Sequence, residues 1–254
     1  MPRNARCDIQ SEYNHIIVQG INKEHIFMDD NLKQIYIEII KKNLDNNRIK
    51  MLSYCIMSNH AHMLIHSKDI KNISELMSKT NTAFAIRYNK INDRVGYVFR
   101  NRYYLQQVLN KKHLYNCIAY IHKNPVKAGI VKNMEDYKFS SYNEYKGNLN
   151  LITKDGIGQI FKNPNNYGEI FDVIHENNDI GDVFDIGSKR PVDEVINKYI
   201  VDMNKTYEQI KMDKCCLGGL FLRLQKECML SLREIAKMYG MGKDKVRSMI
   251  NMIK

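Results

Sequence analysis

The chain has 254 residues, a formal net charge of +11 and 44% hydrophobic residues, as expected for a globular protein with one large domain or two smaller ones. No apolar run approaches the roughly 18 residues of a membrane span, and no apolar region follows the basic N-terminus, so we expect neither a membrane segment nor a signal peptide. The six cysteines contain no Cys-x-x-Cys pair. This indicates reduced thiols and predicts a cytoplasmic protein.

The charge falls into three blocks. Residues 1–147 carry a net charge of +10, residues 148–188 one of −5, and residues 189–254 one of +6. Basic blocks of this size favour a polyanionic partner such as nucleic acid, although a lysine-rich, AT-biased proteome would give the same excess. We predict a basic domain at 1–147, an acidic connector with short helices at 148–188 and a basic helical domain at 189–254.

The first block shows alternating strand and helix patterns. Strands are predicted at 13–19, 49–57, 60–66 and 103–109, and helices at about 31–46 and 73–89. The order strand, helix, strand, strand, helix, strand predicts an α+β fold with a ferredoxin-like antiparallel sheet and helices on one face. The other face would then hold a site.

Helical patterns continue after this block. A third helix is predicted at about 111–121, ending near Asn124, because proline disfavours helical geometry in the residue before it and Pro125 follows. Short helical pieces are predicted at about 156–162 and 167–177. Pro191 then opens a helical block that continues to the end of the chain.

His60 and His62 lie two residues apart in a predicted strand, after a turn at Ser58-Asn59. Strand residues two apart share a face, so both imidazoles could bind one divalent metal ion. The pattern also occurs by chance on half-exposed strands, and the spacing alone favours that interpretation. The His-Glu-x-x-His spacing of zinc hydrolases is absent.

Tyr120 and Asn124 lie four residues apart in the third predicted helix and therefore share a helix face. Tyrosine is a weak nucleophile at neutral pH because its reference pKa is about 10, but a divalent ion that polarises a phosphodiester compensates for this. Near a two-histidine metal site, Tyr120 would suit covalent phosphoryl transfer, and the amide oxygen of Asn124 could be a third ligand. Alternatively, Tyr120 packs in the core and Asn124 only caps the helix.

Three segments, at 57–64, 99–103 and 120–131, follow one another in the first block. They resemble successive motifs of the REP-associated single-tyrosine transposases, and the stretch at 140–145 is also similar to that family. These proteins have an IS200-like transposase domain and belong to the HUH superfamily of single-strand DNA nucleases. The resemblance covers roughly residues 1–147. Two positions depart from the family pattern without removing a ligand: Ser58 replaces a usual proline, and Ala61 replaces a larger aliphatic residue.

The resemblance implies an activity and a set of site residues. Tyr120 would cut single-stranded DNA at hairpin-flanked sites, forming a transient 5′-phosphotyrosine link and a free 3′-OH before strand transfer. His60 and His62 would bind the metal, Mg²⁺ or Mn²⁺. Asn124 would be the additional polar residue of the metal site.

Other basic side chains and histidines have weaker assignments. Arg100 and Arg102 precede the fourth predicted strand and could grip a DNA phosphate bidentately, although a solvated strand edge explains them equally well. His66 lies two pleats beyond His62, too far for the same ion. We interpret His66 and His122 as surface or DNA-proximal histidines.

Residues 232–250 have the pattern of a helix-turn-helix. Ala236 would let the two helices approach, and Gly240 would permit the turn. Ser231 with Glu234 predicts a capping box. Helical pairs that bind only protein share this spacing. If the second helix reads duplex DNA, its outward basic residues are Lys243, Lys245 and Arg247.

Three functional hypotheses follow. The leading one is a metal-dependent endonuclease that cuts and rejoins single-stranded DNA. The second is a DNA-binding regulator that has lost cleavage, against which the intact His60, His62 and Tyr120 argue. The third is an RNA-binding protein, because ferredoxin-like sheets also bind RNA, but Tyr54 is its lone aromatic candidate. We expect single-stranded and duplex DNA as partners, no membrane, and a monomer or homodimer.

Overall fold

The computed structural model describes residues 11–45, 47–161, 167–176, 192–228, 230 and 232–253. They belong to two compact units, one up to Val183 and the other from Phe184. Each unit has its own cluster of buried hydrophobic side chains.

The first unit begins with the elements β1 Tyr13–Gln19, α1 Asp30–Asn43, β2 Lys50–Ile56, β3 His60–His66, α2 Ile70–Ile91 and β4 Tyr104–Gln107. The four strands form an antiparallel sheet in the order β2-β3-β1-β4. Helix α1 connects β1 to β2, and α2 connects β3 to β4. This connectivity and strand order are those of a ferredoxin-like sheet and confirm the predicted α+β class.

Local sequence explains the first two helices. The Asp29 carboxylate accepts a hydrogen bond from the Leu32 amide at 2.7 Å and so caps α1. Asp69 caps α2 in the same way. The two helices pack against each other, and the rings of Phe27, Tyr36 and Phe84 stand within 5.1 Å of one another, centroid to centroid.

Helix α3 (Lys111–Lys127) packs against β2 and β3 on the face that carries His62, so that face is covered, not free. The prediction that the helix ends near Asn124 is wrong, because Pro125 lies inside it. Proline removes one backbone donor, but burial of the helix outweighs that loss. The helix ends at Lys127, and Gly129, which follows the C-cap residue Ala128, adopts a φ of 68°.

The described residues of 151–161 and 167–176 belong to the first unit, not to a connector. They contain α4 (Lys154–Ile160) and α5 (Gly168–Glu176). The Glu144 carboxylate accepts hydrogen bonds from the three consecutive backbone amides of residues 150–152, at 2.7 to 2.9 Å. The predicted connector is therefore incorrect for this part, and residues 177–188 lie outside the described ranges. The side chains that join the sheet's core are Leu151, Ile152, Ile157, Ile160, Phe161, Phe171 and Ile174.

The second unit is helical. Helices α8 (Lys214–Glu227) and α10 (Lys243–Asn251) meet backbone to backbone, because a Cβ atom on Gly218 would lie 2.3 Å from the Met249 carbonyl oxygen. None of the helices in the described ranges could span a membrane, and none of the cysteines there is in a disulfide. The helices are α6 Val192–Met203, α7 Tyr207–Met212, α8 Lys214–Glu227, α9 Leu232–Met238 and α10 Lys243–Asn251.

Candidate active site

Strand β3 places His60 and His62 on one face of the sheet, with ring centroids 4.8 Å apart. His62 is fully buried and His60 is half-buried. His60 Nδ1 lies 2.6 Å from the Asn59 side-chain oxygen. An amide oxygen can only accept, so this nitrogen carries the proton and Nε2 carries the lone pair that can bind a metal.

Helix α3 brings Tyr120 to these histidines. The Tyr120 ring is edge-on to His62, with 5.4 Å between centroids, and only 5% of the residue is exposed. The Lys127 ammonium lies 5.1 Å from the centroid of the tyrosine ring. Strand and helix of the same chain thus assemble the two parts of the predicted site.

Asn124 lies one turn after Tyr120 and is 6% exposed. Its amide nitrogen donates to the Tyr120 carbonyl oxygen at 2.9 Å. The bond fixes the orientation of the amide, so that its oxygen is the atom suited to binding a cation.

His15 is part of the cluster and was not predicted. Its Nε2 lies 3.1 Å from His62 Nδ1, the two rings stack at 5.3 Å between centroids, and His15 is fully buried. The Tyr120 ring is 6.1 Å from that of His15. His15 and His62 lie on neighbouring strands, far apart in sequence, so only the register of β1 on β3 brings them together. The available signal was a histidine directly before the apolar run 16–18 of a predicted strand.

Burial determines the charge state of the cluster. It lowers the pKa of His62 well below its usual value, and the neighbouring His60 and His15 lower it further. His62 is therefore neutral at neutral pH, which is the form that binds metal.

The donor set fits a metal with two imidazole ligands and open positions. Within the described ranges no three His, Cys, Asp or Glu side chains form a metal-binding group. A third protein ligand would therefore have to come from a side chain other than His, Cys, Asp or Glu, and the amide oxygen of Asn124 meets this condition.

Arg100 is connected to the site through the sheet. Its backbone amide donates to the Gln19 carbonyl oxygen at 2.9 Å, and its guanidinium lies 3.5 Å from the Gln19 side-chain oxygen. Gln19 in turn pairs with His60 across β1 and β3. His60, Gln19 and Arg100 thus form a row across the sheet, about 10 Å long for two strand spacings. Arg100 and Arg102 are both exposed and line the same cleft.

His66 and His122 are not at the surface, which corrects the prediction of surface positions for them. His122 is fully buried, and its ring contacts the Ser53 and Ser141 hydroxyls at 3.0 and 2.8 Å and His175 at 2.8 Å. His66 is 9% exposed. It lies 2.8 Å from a Glu12 carboxylate oxygen.

Tyr54 is buried as well, and its hydroxyl donates to Glu144 at 2.5 Å. The lone aromatic candidate for an RNA-binding sheet surface is therefore part of the core.

In the second unit, α9 and α10 are joined by a turn in which Gly240 has a φ of 59°. Val246, Met249 and Ile250 bury one face of α10. Its basic residues lie on the accessible side, where Arg247 pairs with Asp244 at 3.5 Å. DNA reading by this pair stays a prediction, and the proposed cap Ser231 lies outside the described ranges.

Residues 9–124 match the family described as "Transposase IS200 like". This segment includes both predicted histidine ligands, Tyr120 and Asn124. The match confirms the family resemblance expected from the motifs for this segment and supports a transposase-like function in DNA processing.

A solved structure of a REP-associated tyrosine transposase bound to a REP hairpin is also similar. It is 18% identical, the match covers 57% of this chain and 86% of that one, and the TM-score is 0.45. None of the curated proteins matches the chain.

Proposed function

We propose that the first unit cleaves and rejoins single-stranded DNA, with Tyr120 as the nucleophile. The observation that carries this proposal is the 5.4 Å separation between the rings of Tyr120 and His62, beside His60. A buried tyrosine at an imidazole pair in an IS200-like transposase domain suits phosphoryl transfer better than binding alone.

In the proposed step, the Tyr120 oxygen attacks the phosphorus of a DNA phosphodiester and forms a tyrosine–phosphate ester. The bond from phosphorus to the 3′ oxygen breaks. The phenolic proton is lost to solvent, and the leaving oxygen takes up a proton to become a free 3′-OH. Attack by a 3′-OH on the phosphotyrosine reverses these events and rejoins the strand.

His60, His62 and Asn124 would hold a divalent ion, Mg²⁺ or Mn²⁺. When bound, the ion would polarise the phosphate and stabilise the leaving oxygen. His15 orients His62, because the contact between His15 Nε2 and His62 Nδ1 fixes the ring and directs His62 Nε2 away from the pair.

The test is Tyr120→Phe in the full chain. Protein is incubated with Mn²⁺ and a library of single-stranded hairpin DNAs, and covalent adducts are detected on a denaturing gel and sequenced. We expect the adduct to disappear. The control is Tyr115→Phe, because Tyr115 lies on the same helix but stacks on Phe161. An undiminished adduct in Tyr120→Phe would refute the assignment.

We further propose that the second unit binds duplex DNA through Lys243, Lys245 and Arg247. Replacing all three with glutamine should weaken duplex binding and reduce its salt dependence by about 0.9 in the log–log slope for each DNA phosphate that the protein no longer neutralises. Lys211→Gln, on α7 of the same unit, is the control, since its ammonium pairs with Glu208. An equal weakening of duplex binding in both proteins would contradict a specific role for α10.

A further inference from the structure

A cleft of about 740 Å³ lies between α2 and the segment 96–102 of the first unit. Asn81 and Ile86 line it from the helix, and Tyr97, Arg100 and Arg102 line it from the segment. Neither Asp nor Glu is among the described residues that line it. The cleft is therefore positively charged.

Two of the lining residues are large hydrophobic residues with an unusually high exposed fraction. Tyr97 is 83% exposed and Ile86 is 66% exposed. An aromatic ring open to solvent in a cleft with two guanidinium groups is the combination on which single-stranded nucleic acid stacks its bases and neutralises its phosphates.

The segment that carries Tyr97 is held in place before any ligand binds. The Asn89 side-chain amide donates to the Gly96 carbonyl oxygen at 2.9 Å, and Arg94 donates to the Tyr97 carbonyl oxygen at 3.4 Å. Arg94 also forms an ion pair with Glu24 at 2.7 Å, which neutralises the acidic group there. A preformed surface loses little conformational entropy when it binds.

The cleft opens beside the candidate active site. Ile21, one of its lining residues, donates its backbone amide to Val98. The preceding residue, Gly20, donates to the carbonyl oxygen of Asn59, which is next to His60. With Arg100 in the row that contains His60, a chain of phosphates could run from the histidines into the cleft.

We propose that this cleft binds the single-stranded nucleotides next to the cleaved phosphate, with a base stacked on Tyr97 and phosphates on Arg100 and Arg102. The inference rests on the proposed function, because the cleft would position the DNA strand whose phosphate Tyr120 attacks. A duplex would not expose base faces to Tyr97, and a protein partner would need carboxylates opposite both guanidinium groups.

The test measures binding in the Tyr120→Phe background, where no covalent adduct can form. Fluorescence anisotropy follows a labelled oligothymidylate, which cannot pair with itself. Adding Tyr97→Ala should weaken binding about 5- to 150-fold, the effect of removing one stacked base, and Tyr97→Phe should restore most of it. Arg100→Gln should weaken binding and reduce the salt slope by about 0.7.

Arg87→Gln is the matched control, because Arg87 is exposed on α2 but does not line the cleft. The proposal is overturned if Tyr97→Ala binds the oligonucleotide as tightly as its parent, or if Arg87→Gln weakens binding as much as Arg100→Gln. The first result would mean that the cleft does not bind a stacked base. The second would mean that the oligonucleotide is attracted by the overall positive charge and not by Arg100 in particular.

The two proposals fail in different experiments. A wild-type chain that forms no adduct would refute cleavage by Tyr120 and leave the anisotropy result standing. A missing Tyr97 effect would refute the cleft and leave the adduct assay standing. Because Tyr97 is mostly exposed, we expect the thermal unfolding midpoint of Tyr97→Ala to match that of its parent. A matching midpoint would exclude misfolding as the cause of weaker oligonucleotide binding.

Discussion

The contact between His15 and His62 predicts a loss of metal affinity when His15 is replaced. For His62 to bind a metal through Nε2, its Nδ1 must carry the proton, and that proton points at His15 Nε2, 3.1 Å away. His15→Leu removes this acceptor inside a fully buried cluster. Loss of such an outer partner typically weakens metal binding about 10- to 100-fold.

The assay is a titration of the full chain with Mn²⁺, followed by the electron paramagnetic resonance signal of the unbound ion. It needs no DNA and no turnover. His15→Gln is the matched variant, because its side-chain oxygen can accept the same hydrogen bond, and we expect it to recover much of the affinity. Thermal unfolding in chelator shows whether each variant is folded.

Two results would refute the reasoning. One is a folded His15→Leu protein that binds Mn²⁺ as tightly as the wild type. The other is a His15→Gln protein that is as weak as His15→Leu, since the ring would then matter for packing and not as an acceptor.

Three further predictions concern stability. Gly218→Ala should destabilise the second unit by about 1–3 kcal/mol, because its Cβ would overlap backbone. Gly242→Ala has open space and should destabilise the unit less in urea unfolding, since it loses only a favourable glycine N-cap of α10. Glu144→Ala should cost more than about 3 kcal/mol in the same assay, because one carboxylate accepts hydrogen bonds from three amides and a hydroxyl. Burial lowers the pKa of His175 to about 4, below the unfolded value of about 6.5. The unfolded chain therefore binds the proton more tightly, and stability that is complete above pH 6.5 should fall by about 3 kcal/mol as the pH drops to about 4. A flat profile between these values would contradict this, and His175→Gln should make the fall in stability smaller without abolishing it, because the pKa values of His62 and His122 are lowered as well.

Local patterns were enough for the elements of the sheet. The β-branched and apolar residues of β1 and β3 and the apolar stripes of α1 and α2 predicted strands and helices within a few residues of their observed bounds. These signals depend on neighbours in sequence, and burial of one face reinforces them. The same logic placed His60 and His62 on one face.

Features that depend on distant contacts were not predictable. Pro125 stands inside α3 because the tertiary packing of the helix overrides the local rule. The apolar residues of 151–161 and 167–174 are separated by polar residues and glycines, and only their packing shows that they belong to the core of the sheet. The position of His15 beside His62 could not be predicted without the register of β1 on β3.

Helix α3 is anchored by His122, whose ring bonds to Ser53 on β2, to Ser141 and to His175 on α5. The residue two positions earlier is the proposed nucleophile. A helix held from three directions does not swing, so we expect Tyr120 to stay in place throughout the reaction. A DNA end joined to it would remain where it was cut, and strand exchange would require the acceptor DNA to travel to a stationary phosphotyrosine.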